Sequence, residues 1–290
     1  MTTKKRKKKP ARAPAPKLVY KSTSSIRRLL VSLFTSAIVG LQVTSCGVPA
    51  GLAPTAEAPS STTSPTPAPG ATGFAACPQH FASGVPPVTP AAPKLRELCF
   101  DQFAVLHSGN TKTPIYVAER LNRQILLAAQ GQKRTDKFFA DARLPRGERA
   151  ELDDYRGSGW ARGHMAPAGD MGTPAAMAQS FSLANMVPQD PKQNSGPWAK
   201  IEEDTRKYVM RASGDVYVIT GPVFESGAQR IGAGGVAVPS HLFKLVYDPE
   251  TGKSWAHWQE NAPGAAVGRP ISYAEAVKRT GVDLLPGLTQ

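Results

Sequence analysis

From Gly47 to Gly73 the chain is built mainly from Pro, Ala, Ser, Thr and Gly, and Glu57 is its only charge. Such a stretch buries too little apolar surface to offset the entropy of ordering it, so it reads as a flexible tether. It divides the chain into an N-terminal segment 1–46, the tether 47–73, and a body 74–290. The body has roughly 215 residues, the size of a single domain.

The formal charge of +13 is not a property of that body. Eleven of the positive charges, from Lys4 to Arg28, fall in a segment with no acid, and the remainder of the chain carries only +2. Overall charge therefore argues neither for nor against a polyanionic substrate. Behind the basic segment, Leu29 to Leu41 is apolar but for Ser32, Thr35, Ser36 and Gly40. It is short for a membrane span of about 20 residues and suits the apolar core of a signal peptide. Val43-Thr44-Ser45-Cys46 follows and resembles a bacterial lipobox, in which the cysteine takes lipid. An uncleaved anchor and cleavage by an ordinary signal peptidase are the alternatives. Each of these sends the body out of the cytoplasm, membrane-tethered in the periplasm or at the cell surface. There Cys77 and Cys99 are expected to form a disulfide.

Within the body, Phe100–His107 and Ile115–Leu121 read as a hairpin around Ser108-Gly109-Asn110. Lys133–Gly163 is polar and turn-rich. Asn194–Met210 reads as a helix with an apolar stripe of Trp198, Ile201, Thr205 and Tyr208 or Val209. Val216–Thr220, closed by Gly221-Pro222, is a buried strand. Val236–Val238, Leu242–Tyr247 and Trp255–Trp258 are further strands. Ser272 and Glu275 form a capping box for a helix that Gly281 stops. Strands on both sides of a central helix predict an α+β fold with a mixed or antiparallel central sheet.

The chemistry concentrates in Asp154-Tyr155-Arg156-Gly157-Ser158-Gly159-Trp160-Ala161-Arg162-Gly163-His164-Met165-Ala166-Pro167. A lone histidine is by default structural. Here His164 follows three glycines that let backbone approach a ligand, and Arg162 offers a fork-shaped phosphate donor. An imidazole that titrates near neutrality can take a proton from water. Asn194 reads as a helix N-cap on spacing alone. Its amide oxygen also suits Mg²⁺, which keeps several waters and needs few protein ligands. Glu202, eight residues on, projects to roughly the same side and can hold metal-bound water, although Glu202-Glu203-Asp204 is equally an ordinary solvated helix face. His241 reads as a strand-end anchor and His257 as a surface or packing residue, while His80 and His107 have no partner in sequence. Gly157-Ser158-Gly159 is a weak echo of a serine-hydrolase elbow.

The stretch from Asp154 to Pro167 resembles the signature of the DNA/RNA non-specific endonucleases, whose site is a ββα-metal, or His-Me, finger. The resemblance continues through Phe181–Gln189, Asn194, Trp198 and Glu202, Val216–Phe224 and Val238–His241, covering roughly residues 100–285. It implies a hydrolase that cuts the phosphodiester bonds of DNA and RNA through phosphate contacts, leaving 5′-phosphates. In that pattern His164 is the general base and Asn194 the direct ligand of Mg²⁺, with Mn²⁺ as the alternative ion. Glu202 orients metal-bound water and Arg162 contacts phosphate. Asn185 supports the histidine or the substrate, and Arg134 stabilises the pentacoordinate phosphorus. The family's core reads Asp-Arg-Gly-His, and this chain has Ala161 at the aspartate. That departure keeps open a non-catalytic, surface-tethered nucleic-acid binder with a degenerate site.

Overall fold

The computed structural model describes residues 73–288; the leader, the Cys46 motif and all of the tether but Gly73 lie outside the described residues. The described strands are β1 (Leu95–Cys99), β2 (Phe103–Ser108), β3 (Thr113–Leu121), β4 (Ala161–His164), β5 (Met186–Gln189), β6 (Val216–Val223), β7 (Arg230–Ile231), β8 (Val236–Ala237), β9 (His241–Asp248) and β10 (Lys253–Glu260). The α-helices are α1 (Arg123–Ala129), α2 (Leu152–Tyr155), α3 (Pro174–Gln179), α4 (Pro191–Gln193), α5 (Ala199–Val209) and α6 (Tyr273–Thr280). Six strands make the central sheet in the order β1-β2-β3-β6-β9-β10, every neighbouring pair antiparallel. The fold is α+β, and the expected hairpin forms, with its turn at Gly109–Lys112 rather than Ser108–Asn110. Its first strand, β2, starts at Phe103, because the Phe100 N–H donates to the Phe103 carbonyl in a turn.

Alternation along the strands supplies two apolar faces. Phe103, Val105, Val117 and Leu242 join Met165, Phe181, Trp198 and Ile201 on one side. Ala104, Leu106, Tyr116, Phe243 and Leu245 join Phe74, Phe81 and Leu284 on the other. A sheet covered on both faces has strands that read as continuous apolar runs. The Cys77–Cys99 disulfide, with Cα atoms 5.9 Å apart, ties the N-terminal turns to β1.

Two further boundaries differ from expectation, each for a local reason. β6 does not stop at Gly221-Pro222 but runs on to Val223. Its pairing with β3 ends at Thr220, while pairing with β9 continues through Pro222. Proline therefore sits where only one edge of the strand is in use. The helical segment begins at Pro191 rather than Asn194, because the Asp190 carboxylate accepts from the amides of Lys192 and Gln193. The apolar stripe of α5 is as expected, with Trp198, Ile201, Thr205 and Val209 buried. Ser272 caps α6 through the Glu275 amide, and Gly281 ends it in the left-handed conformation.

Candidate active site

The ribbon of β4 and β5 carries the histidine. Upstream, the Asp154 carboxylate accepts from the backbone N–H groups of Glu151 and Gly234, fixing the start of the motif. Gly157 and Gly159 take positive φ (67° and 82°) in the turn that feeds Trp160 into β4. β4 then pairs antiparallel with β5, Ala161 opposite Gln189 and His164 opposite Met186. Nothing in Ala-Arg-Gly-His announces a strand, since it lacks β-branched residues and contains glycine. Gly163 is required there because a Cβ would overlap the Gln189 side chain.

His164 is 8% exposed and lies in a box of rings and guanidiniums. Its imidazole meets Phe181 edge-on at 5.0 Å and Phe138 at 5.8 Å between centroids. The Arg162 guanidinium lies 4.0 Å from the Phe138 centroid, and that of Arg134 5.0 Å from the Phe181 centroid. Each of the two aromatic rings thus holds one arginine close enough to the histidine to affect its charge. Burial first, and then the charge of Arg134, lower the imidazole pKa to about 3; Asp136 opposes them weakly, and Arg162 lowers it further. His164 is therefore neutral at physiological pH, but it titrates well below the near-neutral range its sequence suggests, because burial and the arginines disfavour its charged form. Its Nε2 is buried and has no hydrogen-bond partner.

The helix that follows β5 supplies the other candidates. With Asp190 as the cap, Asn194 is released from capping and sits half-buried in helical conformation (φ −59°, ψ −52°). Residues Asn194–Trp198 form a wide π-turn that contains Pro197, which has no N–H to give to the α-helical ladder. In a regular helix, residues eight apart lie about 80° from alignment. A π-turn advances by a smaller angle per residue, so residues Asn194–Trp198 reduce that offset. Burial pushes the half-buried Glu202 carboxyl up to about 7, with Lys244 pulling it down, Asp170 raising it, and Arg206 and then Arg134 lowering it. Among the described residues, the side chains of Arg162, Asn194 and Glu202 make no hydrogen bond or ion pair.

Asn185 is placed differently. Its buried amide donates to the carbonyls of Ala166 and Ser180 and accepts from the Ala166 N–H, each at 2.9 Å. All of these bonds go to backbone, so Asn185 positions the chain leaving His164 and does not face outward. Arg134 also bonds Asp136 at 2.6 Å on the surface. The structure therefore gathers His164, Arg162 and Arg134, sets Glu202 within Coulombic range of Arg134, and puts Asn185 behind them.

Sequence reasoning gave no role to the two ring walls, Phe138 and Phe181. It also missed a buried ionic layer under α5. Arg206 pairs with Asp170 at 2.9 Å, and Lys244, 1% exposed, donates to Thr220 at 2.7 Å. Glu119 is fully buried with neither oxygen partnered, and burial raises its carboxyl well above the usual range. Arg206 alone had a sequence signal, standing one helical turn after Glu202. The other histidines are structural or peripheral. His80 and His107 bond the carbonyls of Phe100 and Glu148, His241 bonds Ser240, and His257 is half-buried on β10. The Ser158 hydroxyl donates to the Tyr155 carbonyl and accepts from the Trp160 N–H. A cleft of about 550 Å³ opens beside the box, lined by Phe138, Tyr155, Trp160, Arg156 and Arg162. A larger hollow of about 800 Å³ shares no residue with the site.

A β-ribbon bearing a histidine, followed by a helix and packed on an antiparallel sheet, is the arrangement of the ββα-finger nucleases. The chain belongs to the DNA/RNA non-specific endonuclease family, whose model matches residues 85–289. It is 38% identical over 194 residues to the mitochondrial nuclease EXOG of Xenopus laevis, covering 62% of this chain and 52% of that protein. Human mitochondrial endonuclease G is 34% identical over 157 residues, covering 50% and 52%. Nuclease C1 of Cunninghamella echinulata var. echinulata is 34% identical over 202 residues, covering 65% and 80%. The chain spans about half the length of the EXOG and endonuclease G relatives. A chain in the crystal structure of the EndoG/EndoGI complex shares the fold, with a TM-score of 0.56 at 23% identity over 64% of this chain and 84% of that one.

Proposed function

We propose that this chain is a metal-dependent, sugar-non-specific endonuclease hydrolysing DNA and RNA. The observation that carries the reading is His164: buried, neutral, unpartnered at Nε2, and flanked by two arginines. The His164 imidazole takes a proton from water as the water oxygen attacks phosphorus. The P–O3′ bond then breaks with its electron pair on O3′, which takes a proton from solvent, leaving a 5′-phosphate and a 3′-hydroxyl. Arg162 and Arg134 hold the non-bridging oxygens and stabilise charge as five-coordinate phosphorus forms. Contacts of this kind carry no base information, in keeping with indifference to sequence and sugar.

The donor set suits Mg²⁺. Asn194 offers a free amide oxygen and Glu202 a free carboxylate, and among the described residues no group of three or more His, Cys, Asp or Glu forms a cage. Asn194 would hold the ion directly and Glu202 through water; Mn²⁺ would fit the same oxygens. When bound, the ion supplies positive charge to the departing oxygen. Against the degenerate-site alternative, strand alternation puts the position-161 side chain on the other face of β4 from Arg162 and His164, which supports the catalytic reading. The deciding experiment is digestion of supercoiled plasmid and of RNA with and without EDTA. Mg²⁺-dependent cleavage of both is expected; binding without cleavage would leave the non-catalytic reading standing.

Export as a bacterial lipoprotein is a further part of the proposal. It rests on Leu29–Leu41, on Cys46 and on the Cys77–Cys99 disulfide, which suits an oxidising compartment. Cell fractionation of Cys46→Ala tests it: release from membranes supports lipidation, and retention supports an uncleaved anchor.

A further inference from the structure

Behind the histidine strand runs a row of three buried glutamines. Gln189 and Gln193 are fully buried and Gln259 is 3% exposed. Gln189 Nε2 donates to Gln193 Oε1 at 2.6 Å, and Gln193 Nε2 donates to Gln259 Oε1 at 2.5 Å. Gln259 Nε2 reaches the Ala266 carbonyl at 3.4 Å. That carbonyl can only accept, so it fixes the orientation of every amide in the row. The row ends in one bare acceptor, Gln189 Oε1, buried and without a donor, against Gly163.

The row joins three elements that the proposed chemistry needs in register. Gln189 lies on β5, opposite Ala161 and beside the residue preceding His164. Gln193 immediately precedes Asn194. Gln259 belongs to β10 at the edge of the central sheet. Asn261 adds a second clamp at the same place, bonding Asp190 N–H and the carbonyls of Pro188 and Pro239.

We propose that Gln189, Gln193 and Gln259 are positioning residues that lock the His164 strand to the Asn194 helix, and that their bond pattern is matched to alanine at position 161. The inference rests on the endonuclease reading. Directly opposed residues on paired strands share a face with Cβ atoms about 5 Å apart. An aspartate at 161 would therefore aim its carboxylate at the bare Gln189 oxygen, acceptor against acceptor. With Gln193 replaced by leucine, the Gln189 amide is freed and can turn its NH₂ toward that same carboxylate.

The test is a double-mutant cycle on the full chain: Gln193→Leu, Ala161→Asp, and the two together. Each single variant is expected to lose about tenfold to a hundredfold in kcat per folded molecule, the size of effect that small misplacements produce. The double variant is expected to lose no more than Gln193→Leu alone, since the carboxylate regains a donor in Gln189 while the link to the helix stays broken. Hydrogen exchange supplies a readout independent of activity. Amides of 161–164 and 194–198 should exchange faster in Gln193→Leu, with the β2–β3 hairpin unchanged, and in the double variant slow again at 161–164 but not at 194–198. Additive losses, or unaltered exchange at both segments, would overturn the inference. Should Gln193→Leu not fold, Gln259→Met breaks the same row from its other end and is judged by the same exchange pattern. A wild-type protein that fails to cut any nucleic acid would sink the endonuclease reading, and the exchange result would still decide whether the row couples strand to helix.

Discussion

His164 and His80 are both buried histidines held neutral by burial, yet their surroundings differ in kind. His80, on the disulfide-tied side of the sheet, bonds the Phe100 carbonyl through Nε2 at 3.0 Å. His107, within the sheet, likewise bonds the Glu148 carbonyl. His80 and His107 each keep a bare Nδ1 beside their bonded nitrogen, whereas His164, with burial of the same order, makes no hydrogen bond at either nitrogen. Arg162, Asn194 and Glu202 have the same lack of internal bonds. Partly exposed polar side chains that make no internal bond are free to meet a ligand, and these three stand on the elements that carry or follow His164. Burial and a lowered pKa mark all three histidines; freedom from internal bonds marks one.

The largest expected effect is the sharpest test of that contrast. His164→Ala should cut plasmid cleavage by about 10²–10⁴-fold, the usual worth of a general base, with little change in melting temperature. His80→Ala should do the reverse: lose roughly 1–3 kcal/mol of stability with the bond to Phe100 and keep full turnover per folded molecule. Equal loss of turnover in the two variants would erase the distinction. Asn194 and Asp190 offer the next comparison, four residues apart on one segment. Asn194→Ala should lower turnover and raise the Mg²⁺ needed for half-activation, by about 10–100-fold if it is a ligand. Asp190→Ala should cost about 1 kcal/mol of cap and shift the Mg²⁺ titration far less. Identical Mg²⁺ titrations for the two variants would return Asn194 to the scaffold.

What could be seen in the sequence was whatever is written locally. The β2–β3 hairpin, the α5 stripe and the Ser272 cap depend on residues within a turn or two of one another. The spacing from His164 to Asn194 and Glu202 was legible through the family pattern. Asn194 reads from sequence as cap or ligand, and in the structure the cap is Asp190. The strand Ala161–His164 was not legible, since its pairing with Met186–Gln189 and not its propensity makes it a strand. Nor was the glutamine row, whose Gln193–Gln259 bond spans 66 residues. The neutrality of His164 depends on burial by Phe138 and Phe181 and on two arginines, and no local pattern records that.

A smaller effect comes from acid. The imidazole of His164 falls to about 3 and that of His80 to about 4, against about 6.5 in an unfolded chain. Below pH 6.5 the unfolded state takes up protons that the folded state refuses, so stability is full above that pH and is lost as pH falls toward 3. His164→Phe and His80→Phe should each show a shallower fall in melting temperature between pH 7 and pH 4 than wild type. Unchanged slopes would mean that neither ring is as deeply desolvated as its packing indicates.

The smallest expected effect is at Ser158. Its hydroxyl is already committed, donating to Tyr155 at 2.9 Å and accepting from Trp160 at 3.2 Å. By the criterion that separates His164 from His80, it belongs to the turn and not to the chemistry. Ser158→Ala should therefore leave cleavage of DNA and RNA unchanged and lower stability by about 0.5–1.5 kcal/mol through the lost bonds. An inactive but folded Ser158→Ala, beside an active His164→Ala, would move the nucleophile to serine and break the link between uncommitted side chains and function on which the contrast rests.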